Sequence, residues 1–322
     1  MTLAVLSIVC GLVLLVVGAE SLVRGANGLA LLARVSPTVI GLTIVAAGTS
    51  MPELLVSVDA ALRDSPGLSL GNVVGSNIFN LAAIVGCVAL IRPLRIQGNT
   101  VRLEWPVMML ASSVLHLLCR DGTIDRLEGG FLLGGMVAFM AYAVWVARRN
   151  ATPLEHEEFR DMAATSFDSN RPKAWLFNTG GVLLGVGLLS GGASVLVDGA
   201  VTLATMSGVS PTVIGLTVVA AGTSLPELAT SVTAALRGKD DIAIANLIGS
   251  NIFNVLGIVG TTALILPLPV PEEIIVRDNW WMLGVSALLF PLMRSNMRVT
   301  RPEGALLLAC FLVYMLVLLM AL

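Results

Sequence analysis

The chain has 322 residues, of which 56% are hydrophobic and only 12% are charged, and its mean hydropathy is +0.90. Its formal net charge is −2 at pH 7. An ordinary soluble domain carries about 25% charged residues, so this composition excludes that class and indicates an integral membrane protein.

Apolar runs along the chain predict ten transmembrane helices, since each run is close to the roughly 20 residues that a helix needs to cross a bilayer. The runs lie near residues 3–23, 37–62, 69–91, 103–118, 127–147, 174–205, 211–236, 241–266, 278–293 and 302–322. The segment from Met1 to Gly18 lacks the basic start of a signal peptide, so we expect the first run to remain as a span. The expected fold class is therefore an all-α membrane protein.

Five of the predicted helices fall in each half of the chain. The first repeat covers residues 1–147, a polar cytoplasmic linker covers 148–173, and the second repeat covers 174–322. When the connections are assigned to alternate sides, 15 of the 19 basic residues lie on one side, which the positive-inside rule assigns to the cytoplasm. Both termini are then expected on the non-cytoplasmic side of the cell (inner) membrane. Because five is odd, the two five-helix repeats must be inverted, as in many secondary transporters.

A long segment, residues 36–86, occurs again as residues 210–260, with 33 of 51 positions identical and no gap. Each copy places a glutamate, Glu53 or Glu227, in the middle of an apolar run. An acidic side chain at a helix centre costs roughly 2.5–3.5 kcal/mol on insertion scales, and such residues usually mark an ion or substrate path. The basic residues of the two copies lie only near the span ends, which disfavours a buried ion pair. The two glutamates therefore predict one composite cation site.

Each glutamate ends a nearly identical motif, AAGTSMPE at 46–53 and AAGTSLPE at 220–227. Proline removes a backbone donor and clashes with the preceding turn, so we expect each helix to be kinked or broken just before the glutamate. Backbone carbonyls freed at such a break are ligands for a dehydrated cation. A proline kink with no role in ion binding is the alternative, and the motif alone does not decide between them.

The second motif, GSNIFN, also occurs once in each copy. Ser76 and Asn80 are four residues apart and share one face of a helix, and the same holds for Ser250 and Asn254. Together with the glutamates, these side chains supply only oxygen ligands. Such a set suits Ca2+ or Na+ rather than zinc or copper.

Other features of the two copies have more than one interpretation. Asn77 and Asn251 lie about 100° around a helix from the neighbouring serines, so they serve either the site or hydrogen bonds between helices. Asp59 and Glu20 have no acidic counterpart in the other half, which favours a solvated span end for Asp59 and an entrance charge for Glu20. Glycines at every seventh position of the first and sixth spans permit close helix contact, either static or sliding. These glycines are Gly11, Gly18, Gly25, Gly185, Gly192 and Gly199.

The two motifs, each present twice, resemble the alpha repeats of the calcium/cation antiporter superfamily. Over nearly its whole length the chain resembles the sodium/calcium exchangers, particularly their small prokaryotic members. The resemblance implies a ten-helix exchanger in which helices two, three, seven and eight form the ion site while helices one and six slide across them. It implies backbone carbonyl ligands at Ala46 and Ala220. It implies side-chain ligands at Thr49, Ser50, Glu53, Ser76, Asn80, Thr223, Ser224, Glu227, Ser250 and Asn254.

Two departures bear on the driving ion. Some archaeal and potassium-dependent members of the superfamily have an aspartate at the position of Asn254, so only two carboxylates face the site here, which disfavours potassium co-transport. The cation/proton branch tends to place an acid in the helix that reads GNVVG at 71–75 in this chain, where none is present. We therefore expect sodium-driven calcium exchange, and proton-driven calcium exchange is the alternative.

Two other functional classes are disfavoured. The chain contains no HExxH motif and no Ser, His and Asp set that a plausible fold would gather, so we expect no enzyme activity. A passive channel would conduct calcium without a counter-ion gradient, whereas paired acids neutralised by the transported ion favour an obligate exchanger. The expected partners are Ca2+ and Na+, as transported ions rather than cofactors, and the lipid bilayer. We expect neither nucleic acid nor an obligatory protein partner.

Overall fold

Helices make up most of the structure, a computed structural model that describes residues 2–33, 37–63, 66–149, 171–207 and 220–320. The first half contains α1 (Thr2–Ala33), α2 (Pro37–Ile40), α3 (Ala46–Thr49), α4 (Met51–Leu62), α5 (Pro66–Ile78), α6 (Val85–Ile91), α7 (Trp105–Leu118) and α8 (Arg126–Arg149). The second half contains α9 (Arg171–Met206), α10 (Ala220–Thr223), α11 (Leu225–Leu236), α12 (Asp240–Ile252), α13 (Gly260–Ile265), α14 (Asn279–Arg294) and α15 (Arg301–Met320).

Wide π-helical turns connect several of these helices without interrupting them. They span Gly41–Val45, Phe79–Ile84, Thr100–Glu104, Phe253–Val259 and Ile274–Asp278, and single 3-10 turns follow α7 at Cys119–Asp121 and α14 at Ser295–Met297. The π turns at Phe79–Ile84 and Phe253–Val259 contain Asn80 and Asn254, two predicted site residues. Insertions of this kind are frequent at functional sites.

Seven of the described helices are long and apolar enough to cross a membrane, and the bent pair Gly41–Thr49 and Met51–Leu62 brings the number to eight. The predicted span at 211–236 begins in residues 211–219, which lie outside the described residues. The predicted span at 278–293 corresponds to α14, which has only 16 residues but continues directly from the π turn Ile274–Asp278. The part of the chain that the structure describes is thus an apolar helical protein suited to a bilayer.

The first helix of each half is longer than its apolar run predicts. Helix α1 has 32 residues where the run covers 3–23, and α9 has 36 where the run covers 174–205. The charge of Arg24 does not end α1, because its guanidinium pairs with Glu20 one turn earlier on the same helix. At the predicted linker, α8 continues through Arg149 and α9 begins at Arg171, and residues 150–170 lie outside the described part of the chain.

The order of the elements repeats along the chain. Helices α4 and α5 have the same lengths and relative positions as α11 and α12, and the π turn Thr100–Glu104 corresponds to Ile274–Asp278 in the same way. Two short antiparallel strand pairs join one half to the other. Strand β1 (Leu94–Arg95) pairs with β4 (Arg298–Val299), and β2 (Thr123–Ile124) pairs with β3 (Leu268–Pro269).

Burial separates central helices from peripheral ones. In the continuous helix Asp240–Ile265, 94% of the most apolar stretch is buried, whereas the corresponding share in Arg301–Met320 is 17%. Peripheral α1 exposes large apolar side chains such as Leu3, Val9 and Val16 along one side. An exposed apolar face of this length is unfavourable in water and is suited to contact with lipid.

The predicted glycine stripes of α1 and α9 lie against each other. A Cβ atom added at Gly18 would stand 2.9 Å from the backbone nitrogen of Leu189 and 3.0 Å from the carbonyl oxygen of Gly185. Gly11 meets α9 nearer the C-terminal end of that helix and Gly25 nearer its N-terminal end, so the two helices run antiparallel. The glycines therefore form a tight backbone contact between α1 and α9.

Candidate ion-binding site

The two glutamates lie in the first turn of a helix that follows a break. The axis bends by 50° between Gly41–Thr49 and Met51–Leu62, and Ser50 at the bend has φ −84° and ψ 10°. In the second half Ser224 separates α10 from α11 with nearly the same angles, φ −91° and ψ 9°. Each proline falls at the start of the new helix, where its missing N–H would have no partner inside the helix. The predicted break before Glu53 is confirmed.

Hydrogen bonds from the two breaks cross between the halves. The Ser50 hydroxyl donates to Oε1 of Glu227 at 2.8 Å, and the Ser224 hydroxyl donates to Oε1 of Glu53 at 3.0 Å. All four side chains are fully buried. Ser250 on α12 donates a further hydrogen bond to the same Oε1 of Glu227 at 3.3 Å. Each carboxylate is thus held by a serine hydroxyl from the opposite half of the chain.

Five buried oxygens of predicted site residues have no hydrogen-bond partner among the described residues. They are Glu53 Oε2, Glu227 Oε2, Ser76 Oγ, Asn80 Oδ1 and Asn254 Oδ1, and we call them the oxygen cluster. A buried polar group without a partner costs about 1–3 kcal/mol, and more if it is charged. Both carboxylates and both asparagines of this set also form hydrogen bonds to the opposite half, and five unpartnered oxygens are unfavourable unless a cation binds them. The oxygen cluster is therefore a candidate cation site.

The predicted threonine ligands are held by two asparagines. The buried Thr49 hydroxyl donates to Oδ1 of Asn246 at 3.2 Å and lies 3.5 Å from the Ser250 hydroxyl. At the equivalent position, Thr223 donates to Oδ1 of Asn72 at 3.5 Å. Because each hydroxyl hydrogen can point toward an asparagine, the lone pairs of the threonine oxygens remain available for other contacts.

The two predicted carbonyl ligands lie at the start of short helices. The Ala46 carbonyl accepts the backbone N–H of Ser50 at 3.0 Å and lies 3.3 Å from the Thr49 hydroxyl. A carbonyl oxygen has two lone pairs, so a cation at Ala46 would compete with the threonine hydroxyl. Ala220 begins α10, directly after residues that lie outside the described part of the chain.

Neither site glutamate forms an ion pair with Lys or Arg within the described residues. Asp59 is exposed and pairs with Arg63 on its own helix, which agrees with a solvated span end. Glu20 contacts both Arg24 and Arg237, so it links α1 to the end of α11 rather than standing alone at an entrance. The described residues also contain no group of three or more His, Cys, Asp or Glu side chains that could hold a metal ion.

Comparison with known proteins identifies the family. The family model described as "Sodium/calcium exchanger protein" matches residues 3–145 and 177–320, which is most of both halves. This chain belongs to the sodium/calcium exchanger family. Among its relatives, the protein CaxA of Alkalimonas amylolytica is 38% identical over 320 residues, covering 98% of each chain. The sodium/calcium exchanger MaX1 of Methanosarcina acetivorans is 30% identical, covering 98% of this chain and 99% of the relative.

A solved structure supports the same assignment. The sodium-calcium exchanger NCX_Mj, in a crystal soaked with zero Na+ and Ca2+, superposes with a TM-score of 0.82 at 30% sequence identity. The alignment covers 98% of this chain and 99% of the solved one. The chain is accordingly a membrane-embedded helical protein of an antiporter family.

Membership in the exchanger family makes the chain a transporter rather than an enzyme, and its family transports ions without needing a bound cofactor. One sequence pattern of enzymes, GxSxG, does occur at residues 67–71. It lies inside α5 instead of at the turn between a strand and a helix where a nucleophilic serine stands in hydrolases. Ser69 therefore lacks the backbone setting of a hydrolase nucleophile.

Sequence reasoning missed Asn72 and Asn246 as members of the group around the glutamates. Asn72 donates to the backbone carbonyl of Glu53 at 3.3 Å and to the Ser57 hydroxyl at 3.0 Å, and Asn246 donates to Ser231 at 3.1 Å. The two asparagines occupy equivalent positions of the two copies. The asparagine is the same in both copies although the residues just before it differ, and this identity was the signal in the sequence that could have found it.

Proposed function

We propose that this member of the sodium/calcium exchanger family exchanges Ca2+ for Na+ by alternating access. The observation that carries the proposal is the oxygen cluster, which combines two buried carboxylates with neutral oxygens from both halves. Ca2+ takes about 6–8 oxygen ligands at 2.3–2.6 Å, and carboxylates, amides and carbonyls are its usual donors. Five unpartnered oxygens and the hydroxyls around them form a set of that size.

The proposed ligands come from the two breaks and the two GSNIFN motifs. They are the carbonyls of Ala46 and Ala220 and the side chains of Thr49, Ser50, Glu53, Ser76, Asn80, Thr223, Ser224, Glu227, Ser250 and Asn254. In this proposal Ca2+ lies between Glu53 and Glu227 near the midplane of the bilayer. Several Na+ ions replace it on the same oxygens.

The proposed architecture has ten membrane-crossing helices in two inverted repeats of five. The element order of the first half, which recurs at a constant interval in the second, supports two equivalent halves. The distribution of basic residues, with 15 of 19 on one side, supports both termini on the non-cytoplasmic side. Crossed hydrogen bonds between Ser50 and Glu227 and between Ser224 and Glu53 support a site on the axis that relates the halves.

Charge compensation explains why such a site would exchange ions rather than leak them. Two carboxylates in a low-dielectric interior carry a desolvation penalty of several kcal/mol each unless a counter-charge is present. One Ca2+, or two or more monovalent cations, removes the net charge of the pair. The loaded site can then move between the two accessible states, and the unloaded site is held back by its uncompensated charge.

Protons are the alternative driving ion, because either glutamate can be neutralised by a proton as well as by Na+. Sodium is favoured because α5, the helix that follows α4 along the chain, carries Asn72 and no acid. In the structure the side-chain amide of Asn72 donates hydrogen bonds to the backbone carbonyl of Glu53 and to the Ser57 hydroxyl. It offers no further titrating group beside the oxygen cluster.

Calcium uptake into vesicles reconstituted with the purified protein tests the proposal. We expect 45Ca2+ uptake that requires an outward Na+ gradient and that K+ or H+ gradients alone do not support. If a pH gradient drives the uptake instead, the driving ion is H+ and not Na+. Uptake that is indifferent to all three gradients would refute exchange.

Glutamine substitution tests the site itself. Glu53→Gln and Glu227→Gln each remove one of the two charges, so each should abolish calcium uptake while the protein still folds and inserts. Glu104→Gln is a matched control, since Glu104 is also buried and has an unpartnered Oε2 but lies at the end of a π turn outside the oxygen cluster. Normal uptake by either site variant would contradict the proposed site.

A further inference from the structure

Asn77 and Asn251 form a symmetric hydrogen-bonded pair between the two most buried helices. The side-chain amide of Asn77 donates to the backbone carbonyl of Asn251 at 3.4 Å, and the amide of Asn251 donates to the carbonyl of Asn77 at 3.3 Å. Both residues are almost completely buried. These contacts decide between the two roles that the sequence left open for Asn77 and Asn251, in favour of hydrogen bonds between helices.

The second hydrogen of each amide nitrogen also has an acceptor. Asn77 Nδ2 lies 3.6 Å from the sulfur of Met282, and Asn251 Nδ2 lies 3.8 Å from the sulfur of Met108. The two methionines again occupy equivalent positions of the two halves. With both hydrogens directed at acceptors, the nitrogen end of each amide is fixed, and the oxygen end must point the other way.

The oxygen ends of this pair hold the amides of two proposed ligands. Asn80 Nδ2 donates to Oδ1 of Asn251 at 3.1 Å, and Asn254 Nδ2 donates to Oδ1 of Asn77 at 3.0 Å. Each proposed ligand is thus held by the asparagine of the opposite half. A flipped Asn80 or Asn254 would place oxygen against oxygen at these contacts, which is repulsive.

The consequence is that the amide nitrogens of Asn80 and Asn254 are held at Asn251 and Asn77, which leaves their oxygens as the ends available to an ion. These two Oδ1 atoms belong to the oxygen cluster and have no partner among the described residues. An NH2 group in the same place would repel a cation. An amide can serve as a ligand only if something else occupies its donor end.

We propose that Asn77 and Asn251 are positioning residues that orient the amides of Asn254 and Asn80 so that oxygen, not NH2, faces the ion. The inference rests on the proposed function, since it assigns a role at the same cation site. It assigns no ion contact to Asn77 or Asn251 themselves. Their role is to set the direction of two neutral amide ligands. An aspartate in the place of such a ligand would need no orienting partner, because a carboxylate has no donor end.

Substitution of Asn77 by alanine tests this role. Removal of the acceptor frees the Asn254 amide to turn, so we expect the KM for Ca2+ in sodium-driven uptake to rise about tenfold, with little change in the maximal rate. Asn251→Ala should act in the same way through Asn80. A merely structural contact would instead lower the amount of folded protein or the maximal rate.

Double-mutant cycles give a signature that packing alone would not produce. Asn77→Ala should have no further effect on KM in an Asn254→Ala background, but its full effect in an Asn80→Ala background. Asn251→Ala should show the reverse pattern. If Asn77→Ala does not fold, as judged by size-exclusion chromatography, the Asn251 cycle tests the same inference independently.

Wild-type protein and Glu53→Gln are measured in the same series to separate this inference from the proposed function. Loss of the wild-type calcium signal, or an unaffected Glu53→Gln, would refute the proposed site and this inference with it. Two results would overturn the positioning role alone, given a normal wild type and an inactive Glu53→Gln. One is an unchanged KM in both Asn77→Ala and Asn251→Ala. The other is a set of double-mutant cycles that does not couple Asn77 to Asn254 and Asn251 to Asn80.

Discussion

The tight contact between α1 and α9 predicts that two glycines on one helix respond oppositely to alanine. A Cβ at Gly185 would stand 2.6 Å from the backbone nitrogen of Leu22 and 2.8 Å from its Cα, whereas nothing lies within 4 Å of a Cβ at Gly187. Van der Waals contacts of carbon begin at about 3.5 Å, so Gly185→Ala must separate the helices by about 1 Å. Because the obstacle is backbone, no side-chain rotation can relieve it.

The magnitude follows from two opposing terms. Overpacking costs about 1–3 kcal/mol, and alanine is favoured over glycine within a helix by about 1 kcal/mol. Gly187→Ala should therefore stabilise the protein by up to about 1 kcal/mol, and Gly185→Ala should lie about 1–3 kcal/mol below it. The same contrast is expected for the adjacent residues Gly191, which is open, and Gly192, whose Cβ would lie 2.9 Å from Leu14.

Thermal unfolding of the four variants in detergent, followed by tryptophan fluorescence, measures the difference. We expect lower melting temperatures for Gly185→Ala and Gly192→Ala than for Gly187→Ala and Gly191→Ala. Calcium uptake in vesicles shows whether the separated helices still support transport. Equal melting temperatures within each pair would show that the α1–α9 contact is loose and would refute the predicted backbone clash.

Two further predictions concern the crossed hydrogen bonds and the topology. Ser50→Ala and Ser224→Ala each remove a donor to the opposite carboxylate, worth about 1.5–3 kcal/mol, so both should weaken Ca2+ binding about 10- to 150-fold by calorimetry. Ser113→Ala, whose hydroxyl bonds a carbonyl of its own helix, should change nothing, and an effect confined to one site serine would contradict the crossed arrangement. In a cysteine-free background, an impermeant maleimide should label Arg120→Cys on intact cells and Arg298→Cys only after permeabilisation. The opposite result would invert the proposed orientation.

The sequence predicted the helix break before Glu53, because its cause is local. Proline at position 52 lacks an N–H and clashes with the preceding turn, so it favours a kink or a break at that point of the helix. The four-residue spacing also predicted one shared helix face for Ser76 and Asn80, which stays a prediction because Asn80 lies in the π turn Phe79–Ile84. These features depend on the neighbouring few residues only.

The contacts between the halves could not be read from the sequence. That Ser50 bonds Glu227 rather than Glu53, and that Asn80 bonds Asn251, depends on how two distant segments pack. The identities between the two copies indicated which positions matter but not which pairs form. The full length of α1 was also missed, because the hydropathy criterion ends at Arg24 while a pairing with Glu20 keeps the helix intact.

The crossed hydrogen bonds also set an order of events during synthesis. Glu53 and its donor Ser224 are separated by 171 residues along the chain. At about 5–20 residues per second, roughly 10–30 seconds pass between the synthesis of the two residues. During that interval the carboxylate has entered or approached the membrane without the serine that later binds it. The first half must therefore tolerate a glutamate that is protonated or hydrated, and the binding site is completed only when the second half arrives.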